Sequence, residues 1–230
     1  MHTNYTHTHT YTQFSMSTLH VAAGMGNVQL CKTLIESGLS PDVQLDTRGG
    51  HREGETPLHF AAVENRADVA RVLLESGADI YKTNMHGLTA MHVASGVGHV
   101  NVMREILQHG FNATATRTEN SYESLPVHLA ATSGKLEAVE LLVNEYGSPV
   151  DVPNSRGNIP LHGAAMSASV DTVAFLVRQG SDLTSKNDAG KTPLEAAESV
   201  LSLLPNEEAA ALKKALPEIR DWLSGNRNEL

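Results

Sequence analysis

One motif returns along this chain at nearly constant spacing, a variant of Thr-Pro-Leu-His-x-Ala-Ala. Its histidine occurs five times, 39, 33, 36 and 34 residues apart, at His20, His59, His92, His128 and His162. A sixth copy, 33 residues further on, carries Glu195 instead. Repeats of about this length are typical of solenoids, in which one unit cannot bury its apolar face alone and stacking creates the core. We therefore expect a repeat array with its functional residues on the surface.

Each copy of the motif predicts the start of a helix. The threonine of Thr56-Pro57 is a good N-cap, and proline at the first helical position lacks only an N–H that would have no helical partner. Leu125 and Ile159 replace the hydroxyl residue in two copies, so we expect those first turns to be less well capped, by roughly 0.5–2 kcal/mol each. A second apolar segment follows and ends on glycine, as at Gly77. Each unit is thus predicted to be a helix pair.

Asparagine marks the segments between the predicted helix pairs, at Asn84, Asn120, Asn154 and Asn187, and three of the four are followed three residues later by glycine. This order is typical of a tight turn, here the tip of a finger. With these features in register, roughly residues 16 to 204 resemble the ankyrin-repeat family. The resemblance implies an all-α solenoid of stacked helix pairs with projecting β-turn fingers and a concave binding face formed by fingers and inner helices. It also implies that the repeated histidine joins neighbouring repeats by hydrogen bonds.

The predicted domain organisation is a solenoid over residues 16–204, with repeats starting near residues 17, 56, 89, 125, 159 and 192. Residues 1–15 are expected to form a disordered tail, because Thr, His and Tyr dominate them; a metal site at His2, His7 and His9 is the alternative, but it has no cysteine and no fixed scaffold. Capping helices are expected over 205–223, followed by a tail at 224–230. Terminal repeats need a polar cover, so the cap should fold back on the fifth repeat through Leu212, Leu216, Ile219, Trp222 and Leu223.

Composition excludes several classes of partner and site. The net charge is −9, from 17 basic and 26 acidic residues, and no basic cluster occurs, which argues against nucleic acid and anionic membranes. No stretch is apolar and long enough to span a bilayer. Cys31 is the only cysteine, which excludes an intramolecular disulfide and fits core packing in a reducing compartment. We expect a monomer in the cytosol or nucleus that binds one or more partner proteins.

The twelve histidines raise the question of catalysis or metal binding. Five of them recur at one repeat position, so their side chains should lie about one repeat apart and cannot converge on one ion or substrate. Neither a phosphate-binding loop with its lysine nor a Gly-x-Ser-x-Gly nucleophile motif occurs. The prediction is a non-enzymatic protein without catalytic, cofactor or metal residues. An enzyme or metal-binding protein that uses its histidines is the alternative.

Two insertions in the finger region, Pro41 to Glu55 and Asn112 to Ser124, account for the longer spacings. Insertions on one face of a solenoid often lie at the binding face, although tolerated surface loops are equally compatible with the sequence. Within the family, the positions that flank the finger glycine and follow the Ala-Ala pair vary. Together these considerations nominate the protein-binding residues Arg48, Arg52, Glu53, Glu55, Val63, Glu64, Met85, His86, Leu88, Val97, Arg117, Tyr122, Ser124, Thr132, Ser133, Arg156, Asn158, Met166 and Ser167.

The predicted function is that of an intracellular adaptor or regulator that binds a partner protein across the concave face. Met85, Leu88, Tyr122 and Met166 are expected to form an exposed apolar or aromatic stripe there, as interface cores do. A more specific alternative is a chaperone of proteasome assembly, because the array resembles gankyrin-like proteins in length, in Thr89-Ala90-Met91-His92 and in its closing Lys-Thr-Pro-Leu. It differs from them in having about six repeats, two finger insertions and another C-terminal cap.

Overall fold

The structure is a computed structural model that describes residues 17–46, 52–201 and 206–224. These ranges contain twelve α-helices and no β-strand. The helices are α1 (Thr18–Met25), α2 (Val28–Glu36), α3 (Pro57–Val63), α4 (Ala67–Glu75), α5 (Ala90–Val97), α6 (Val100–Gln108), α7 (Pro126–Thr132), α8 (Leu136–Glu140), α9 (Pro160–Met166), α10 (Val170–Arg178), α11 (Pro193–Val200) and α12 (Asn206–Leu223). The prediction of an all-α fold is confirmed.

The helices are arranged in two layers. The inner layer consists of the motif-bearing helices α1, α3, α5, α7, α9 and α11, and each of them contacts the next in this order. The outer helices α2, α4, α6, α8 and α10 each pack against the inner helix that precedes them. This is the predicted solenoid of stacked helix pairs. None of the helices in the described ranges is both long and apolar enough to cross a membrane.

Small side chains allow the inner helices to approach one another closely. Ala61 and Ala62 of α3 are fully buried, and so are Ala130 and Ala131 of α7. The core therefore depends on alanine and leucine rather than on large aromatic side chains. Cys31 in α2 is also fully buried, and burial raises the pKa of its thiol. The prediction that this cysteine packs in the core is confirmed.

The four fingers before α5, α7, α9 and α11 are tight turns, each organised by the asparagine that the sequence singles out. In the finger before α5, Asn84 Oδ1 accepts the backbone N–H groups of His86 and Leu88 at 3.0 and 3.2 Å. Gly87 closes the turn in the left-handed conformation, with φ of 66°. The next finger lies so close that a Cβ on Gly87 would be 2.5 Å from the carbonyl carbon of Glu119. Adjacent fingers thus pack backbone against backbone.

The finger before α7 contains the second insertion and lacks the glycine. Asn120 Oδ1 still accepts the N–H of Tyr122 at 2.9 Å, and Glu123 adopts the left-handed conformation with φ of 45°. The guanidinium of Arg117 donates from Nη1 to the carbonyl oxygens of Glu123 and Pro153, at 2.7 and 3.1 Å. The inserted segment is therefore bonded to the following repeat.

The fourth unit has one extra residue in its outer helix. From N-cap to closing glycine, α6 extends from His99 to Gly110, whereas the corresponding segment of the fourth unit extends from Lys135 to Gly147 and is one residue longer. A π-helical turn at Leu141–Glu145 follows α8 directly and accommodates this residue. The spacing of 34 between successive histidines reveals the extra residue but not its place.

Helix α12 covers the C-terminal end of the array. It contacts α10 and α11, and the side chains nominated for this contact are all buried: Leu212, Leu216, Ile219, Trp222 and Leu223. The described part of the predicted cap is one helix of 18 residues rather than several. Residues 1–16, 47–51, 202–205 and 225–230, which include the predicted N-terminal tail with His2, His7 and His9, lie outside the described residues.

Candidate protein-binding groove

The repeated histidines connect each inner helix to the finger that follows it. In every case the ring Nε2 lies within hydrogen-bond distance of a backbone carbonyl oxygen of the next repeat. The distances are 2.9 Å for His20 to Glu55, 2.9 Å for His59 to Leu88, 3.2 Å for His92 to Thr116, 2.9 Å for His128 to Val152 and 3.0 Å for His162 to Lys191. The role that the family resemblance implies for this histidine is confirmed.

The other ring nitrogen completes the cap of its own helix. His59 Nδ1 accepts the backbone N–H of Thr56 at 3.2 Å and lies 2.9 Å from the Thr56 hydroxyl. Nδ1 must therefore be unprotonated, so Nε2 carries the hydrogen that it donates to the carbonyl. Burial disfavours the charged ring and lowers the pKa of His59, His92 and His128 to about 4. These imidazoles are neutral hydrogen-bonding groups at neutral pH.

The two helices without a hydroxyl cap differ from each other. In α7 the N–H of Leu125 still donates to His128 Nδ1, at 3.1 Å, so half of the usual arrangement is kept. At the start of α9, where Ile159 is the N-cap, His162 Nδ1 is buried and has no hydrogen-bond partner among the described residues. The weaker cap expected at Ile159 thus takes the form of an unsatisfied acceptor.

The histidines and acidic residues are the side chains that could form a metal or catalytic site. In the ranges that the structure describes, no three His, Cys, Asp or Glu side chains are grouped so that they could hold a metal ion. The repeated rings are occupied by the structural hydrogen bonds given above. Nothing in this arrangement supports the alternative of a histidine-based enzyme or metal site.

A groove of about 360 Å³, here called the central groove, lies on the finger and inner-helix side of the third to fifth repeats. Its exposed lining is mostly apolar. Eight of the nominated residues line it: Leu88, Tyr122, Ser124, Thr132, Ser133, Arg156, Asn158 and Met166. The structure therefore brings together residues that are up to 78 positions apart in the sequence (166 − 88).

Small residues in the inner helices shape the groove. The position after the repeated histidine is Phe60 in α3 and Leu129 in α7, but Gly163 in α9. A Cβ on Gly163 would lie 3.1 Å from the Cα of Thr132 and closer still to its hydroxyl, so α9 approaches α7 without a side chain between them. Leu129, Gly163 and Met166 all line the groove, and a side chain at position 163 would force α9 away from Thr132 of α7.

The rim of the groove carries one aromatic and one cationic side chain in contact. The guanidinium carbon of Arg156 lies 4.2 Å from the centre of the Tyr122 ring, a cation–π arrangement. Tyr122 is 44% exposed and Arg156 is exposed too, so both side chains are accessible from solvent. Hydrogen bonds to Asn120 Oδ1 and Asn154 Oδ1 fix the backbone N–H groups of Tyr122 and Arg156, at 2.9 and 3.0 Å. The two fingers thus hold the pair in place.

Three of the nominated residues, Glu55, Ser124 and Arg117, have structural roles within the chain. Glu55 is buried and accepts a 2.7 Å hydrogen bond from Arg52, whose guanidinium lies 3.7 Å over the ring of Phe60. Ser124 is buried too, and its N–H donates to the Thr118 hydroxyl at 2.9 Å. Arg117 is half-buried and bonds backbone carbonyls. Glu55 and Ser124 therefore expose little surface to a partner, and the guanidinium of Arg117 is engaged within the chain.

The remaining nominated residues do not line the central groove. Met85 and Val97 are exposed, at 50% and 41%. Of the four residues in the predicted stripe, Met85 and Tyr122 are exposed, whereas Leu88 and Met166 are half-buried. Arg48 lies outside the described residues. The others outside the groove are Arg52, Glu53, Val63, Glu64, His86 and Ser167.

Sequence reasoning missed several lining residues, including Leu129, Asn154, Ile159 and Gly163. The sequence pattern places Asn154 in a turn and Ile159 at a helix cap, and neither position by itself indicates a groove. Gly163 carries a readable signal, because the other four histidine-bearing repeats have valine, phenylalanine or leucine at this position of the motif.

Comparison with known proteins agrees with this architecture. The family model described as ankyrin repeats (3 copies) matches residues 2–84, 81–154 and 127–210. The chain belongs to the ankyrin-repeat family. Members of this family mediate protein–protein interactions and are generally non-enzymatic.

Relatives and solved structures include proteins of different kinds. The chain is 28% identical over 138 residues to the probable 26S proteasome regulatory subunit p28 of Saccharomyces cerevisiae, covering 60% of this chain and 58% of that protein. The ankyrin-repeat domain of Bcl-3 matches with a TM-score of 0.69 and 26% identity, covering 89% of this chain and 85% of that one. The chain spans little more than half the length of the yeast protein and less of the other first relatives.

A third similarity is to a chain in a complex from Bdellovibrio bacteriovorus, the predatory endopeptidase Bd0816 with the immunity protein Bd3460. The TM-score is 0.67 and the identity 25%, with 87% of this chain and 98% of that one covered. An ankyrin array of this size therefore occurs within a known protein complex.

Proposed function

We propose that this protein is an adaptor or regulator in the cytosol or nucleus that binds a partner protein across its concave face, with the central groove at the middle of the interface. The observation that carries the proposal is the accessible Tyr122–Arg156 pair beside a mostly apolar groove. Tyrosine and arginine are enriched among the residues that dominate binding energy. The histidine hydrogen bonds hold the inner helices and the fingers together. This favours a binding surface that is already formed before the partner binds.

The test is isolation of partners from a cell lysate on the immobilised chain, followed by calorimetric titration of variants against the captured protein. Tyr122→Ala and Arg156→Ala should each weaken binding by 1 kcal/mol or more, as truncation of central interface residues does. Both side chains lie on the surface, so the free energy of unfolding should change by less than about 0.5 kcal/mol.

Matched controls come from the outer helices. Arg71 in α4 makes surface ion pairs with Asp68 and Glu105, and Glu140 ends α8. Arg71→Ala and Glu140→Ala should leave binding unchanged. Weaker binding in these outer variants alone would contradict the proposal and move the interface to the convex side.

A gankyrin-like role in proteasome assembly is the second candidate, favoured by the similarity to the yeast p28 protein. The same isolation distinguishes the two. Recovery of proteasomal ATPase subunits would support the assembly role, and their absence would exclude it. A captured endopeptidase would indicate a complex of the type found for the Bdellovibrio proteins.

A further inference from the structure

We propose that the central groove recognises an extended segment of the partner that inserts an aliphatic or aromatic side chain next to a carboxylate. This inference rests on the proposed function and adds the chemistry of the ligand. It depends on the size of the groove, its charge and the hydrogen-bonding groups at its rim.

The size of the groove fits side chains of a single segment. Pockets that bury small ligands have volumes of about 300–1,000 Å³, and the central groove lies near the lower limit at about 360 Å³. Leu129, Gly163 and Met166 offer an apolar surface that one or two inserted side chains could cover. A flat domain surface would leave this space empty, whereas an extended chain can direct alternate side chains into it.

The charge of the groove is opposite to that of the whole protein. Arg156 is the cationic side chain that lines it, and no aspartate or glutamate is among the described lining residues. His128 also lines the groove, and burial lowers its pKa to about 4, so it adds no charge at neutral pH. In a chain with net charge −9, this local excess of positive charge favours an acidic ligand and disfavours a basic one.

The orientation of Arg156 suits a carboxylate. Its guanidinium carbon lies over the Tyr122 ring, 4.2 Å from the ring centre, and no described carboxylate forms an ion pair with it. The N–H groups at the edge of a stacked guanidinium can bind both oxygens of a carboxylate. An acidic residue beside the inserted apolar side chain would complete this pairing.

Polar groups along the rim can bind the backbone of such a segment. Asn158 Oδ1 accepts from Asn187 at 2.8 Å, which leaves the Asn158 amide N–H groups as donors beside the groove. Thr132 and Ser133 place exposed hydroxyl residues on the opposite, α7 side. Donors and acceptors on both sides match the alternating N–H and C=O groups of an extended chain.

The experiment uses the whole chain and an array of synthetic ten-residue peptides of Gly and Ser with two variable positions near the centre, separated by one residue so that an extended chain directs both side chains to the same side. One position carries Leu, Phe or Ala, and the other carries Asp, Asn or Lys, in both orders. We expect the Leu–Asp and Phe–Asp peptides to bind best. In Arg156→Glu the Asp peptides should bind about tenfold or more weakly, and the Lys peptides should improve. Arg71→Glu is the matched charge reversal on the outer surface and should not change the ranking.

A second variant tests the groove itself. Ser133→Trp places an indole ring at the groove from an exposed position and should abolish the preference for Leu and Phe over Ala. Should Ser133→Trp unfold, Arg156→Glu remains informative, because it changes an exposed side chain. A ranking without apolar–acidic preference, or one that both variants leave unchanged, would overturn the inference. If Tyr122→Ala weakens the natural partner while no such peptide preference exists, the ligand class is wrong and the proposed function stands.

Discussion

The imidazole of His59 binds its own helix through Nδ1 and the next finger through Nε2. A single side chain therefore satisfies a helix N-terminus and joins two repeats. This arrangement requires a neutral ring. If Nδ1 carried a proton, it could no longer accept the N–H of Thr56, and two N–H groups would face each other. His162 shows the incomplete case, with Ile159 in place of the capping hydroxyl and an unsatisfied Nδ1.

The orphan acceptor of His162 predicts a difference between two nearly isosteric variants. Ile159→Thr and Ile159→Val remove similar apolar volume, but only threonine can donate to Nδ1 as Thr56 does to His59. The threonine variant should be more stable than the valine variant by roughly 0.5–2 kcal/mol. Urea unfolding measures the difference. The same pair at Leu125 should differ less, since His128 Nδ1 already has a donor, and equal stabilities of the two position-159 variants would contradict the explanation.

At the scale of elements, the helix pairs and fingers could be predicted because each is defined locally. Asn84 and Gly87 specify a finger within four residues, and the spacing of the motif specifies the stacking. The groove could not be derived in the same way, because it depends on the approach of α9 to α7 at Gly163. The burial of Glu55 likewise depends on Arg52 lying over Phe60, a tertiary contact that no periodicity encodes. The π-helical turn is a similar case, since one extra residue can be accommodated in a loop or in a helix.

The close contact between fingers predicts that equivalent glycines differ in importance. Gly87 and Gly190 have nearly the same φ, 66° and 72°. A Cβ at Gly87 would meet the backbone of Glu119, whereas a Cβ at Gly190 would meet no described atom within 4 Å. Gly190→Ala should cost about 1–2 kcal/mol for its left-handed conformation alone. Gly87→Ala should cost clearly more, as measured by urea unfolding. Equal losses would show that adjacent fingers can separate without penalty.

At the scale of the whole molecule, the buried histidines couple the stability of the array to pH. The pKa of His59, His92 and His128 is about 4 in the folded protein, against 6.5 for an exposed ring. Between these values the unfolded chain binds more protons than the folded one, so the free energy of unfolding falls as pH decreases from 6.5 towards 4. The stabilisation is fully present above pH 6.5.

Each of these histidines should contribute a slope of up to ~1.4 kcal/mol per pH unit within that range. Urea unfolding at pH 7.0, 6.0 and 5.0 measures the summed slope. A His128→Gln variant should give a shallower dependence because one titrating group is gone. A profile without a decrease between pH 6.5 and 5 would contradict the assignment of neutral, buried rings.

The direction of the histidine hydrogen bonds also bears on how such an array can lengthen by duplication. Each of the five repeated histidines donates forward, to the finger that follows, and His162 reaches the finger before α11. Glu195 occupies the same position in α11, where its carboxylate accepts the N–H of Thr192 at 2.8 Å and has no proton to donate onward. If a duplicated unit were inserted before α11, the histidine of the preceding unit could donate to the finger of the new unit. The histidine of the new unit could in turn donate to the backbone carbonyl of the finger before α11. A unit placed directly after α11 would not receive this hydrogen bond, because Glu195 has no proton to donate to its finger.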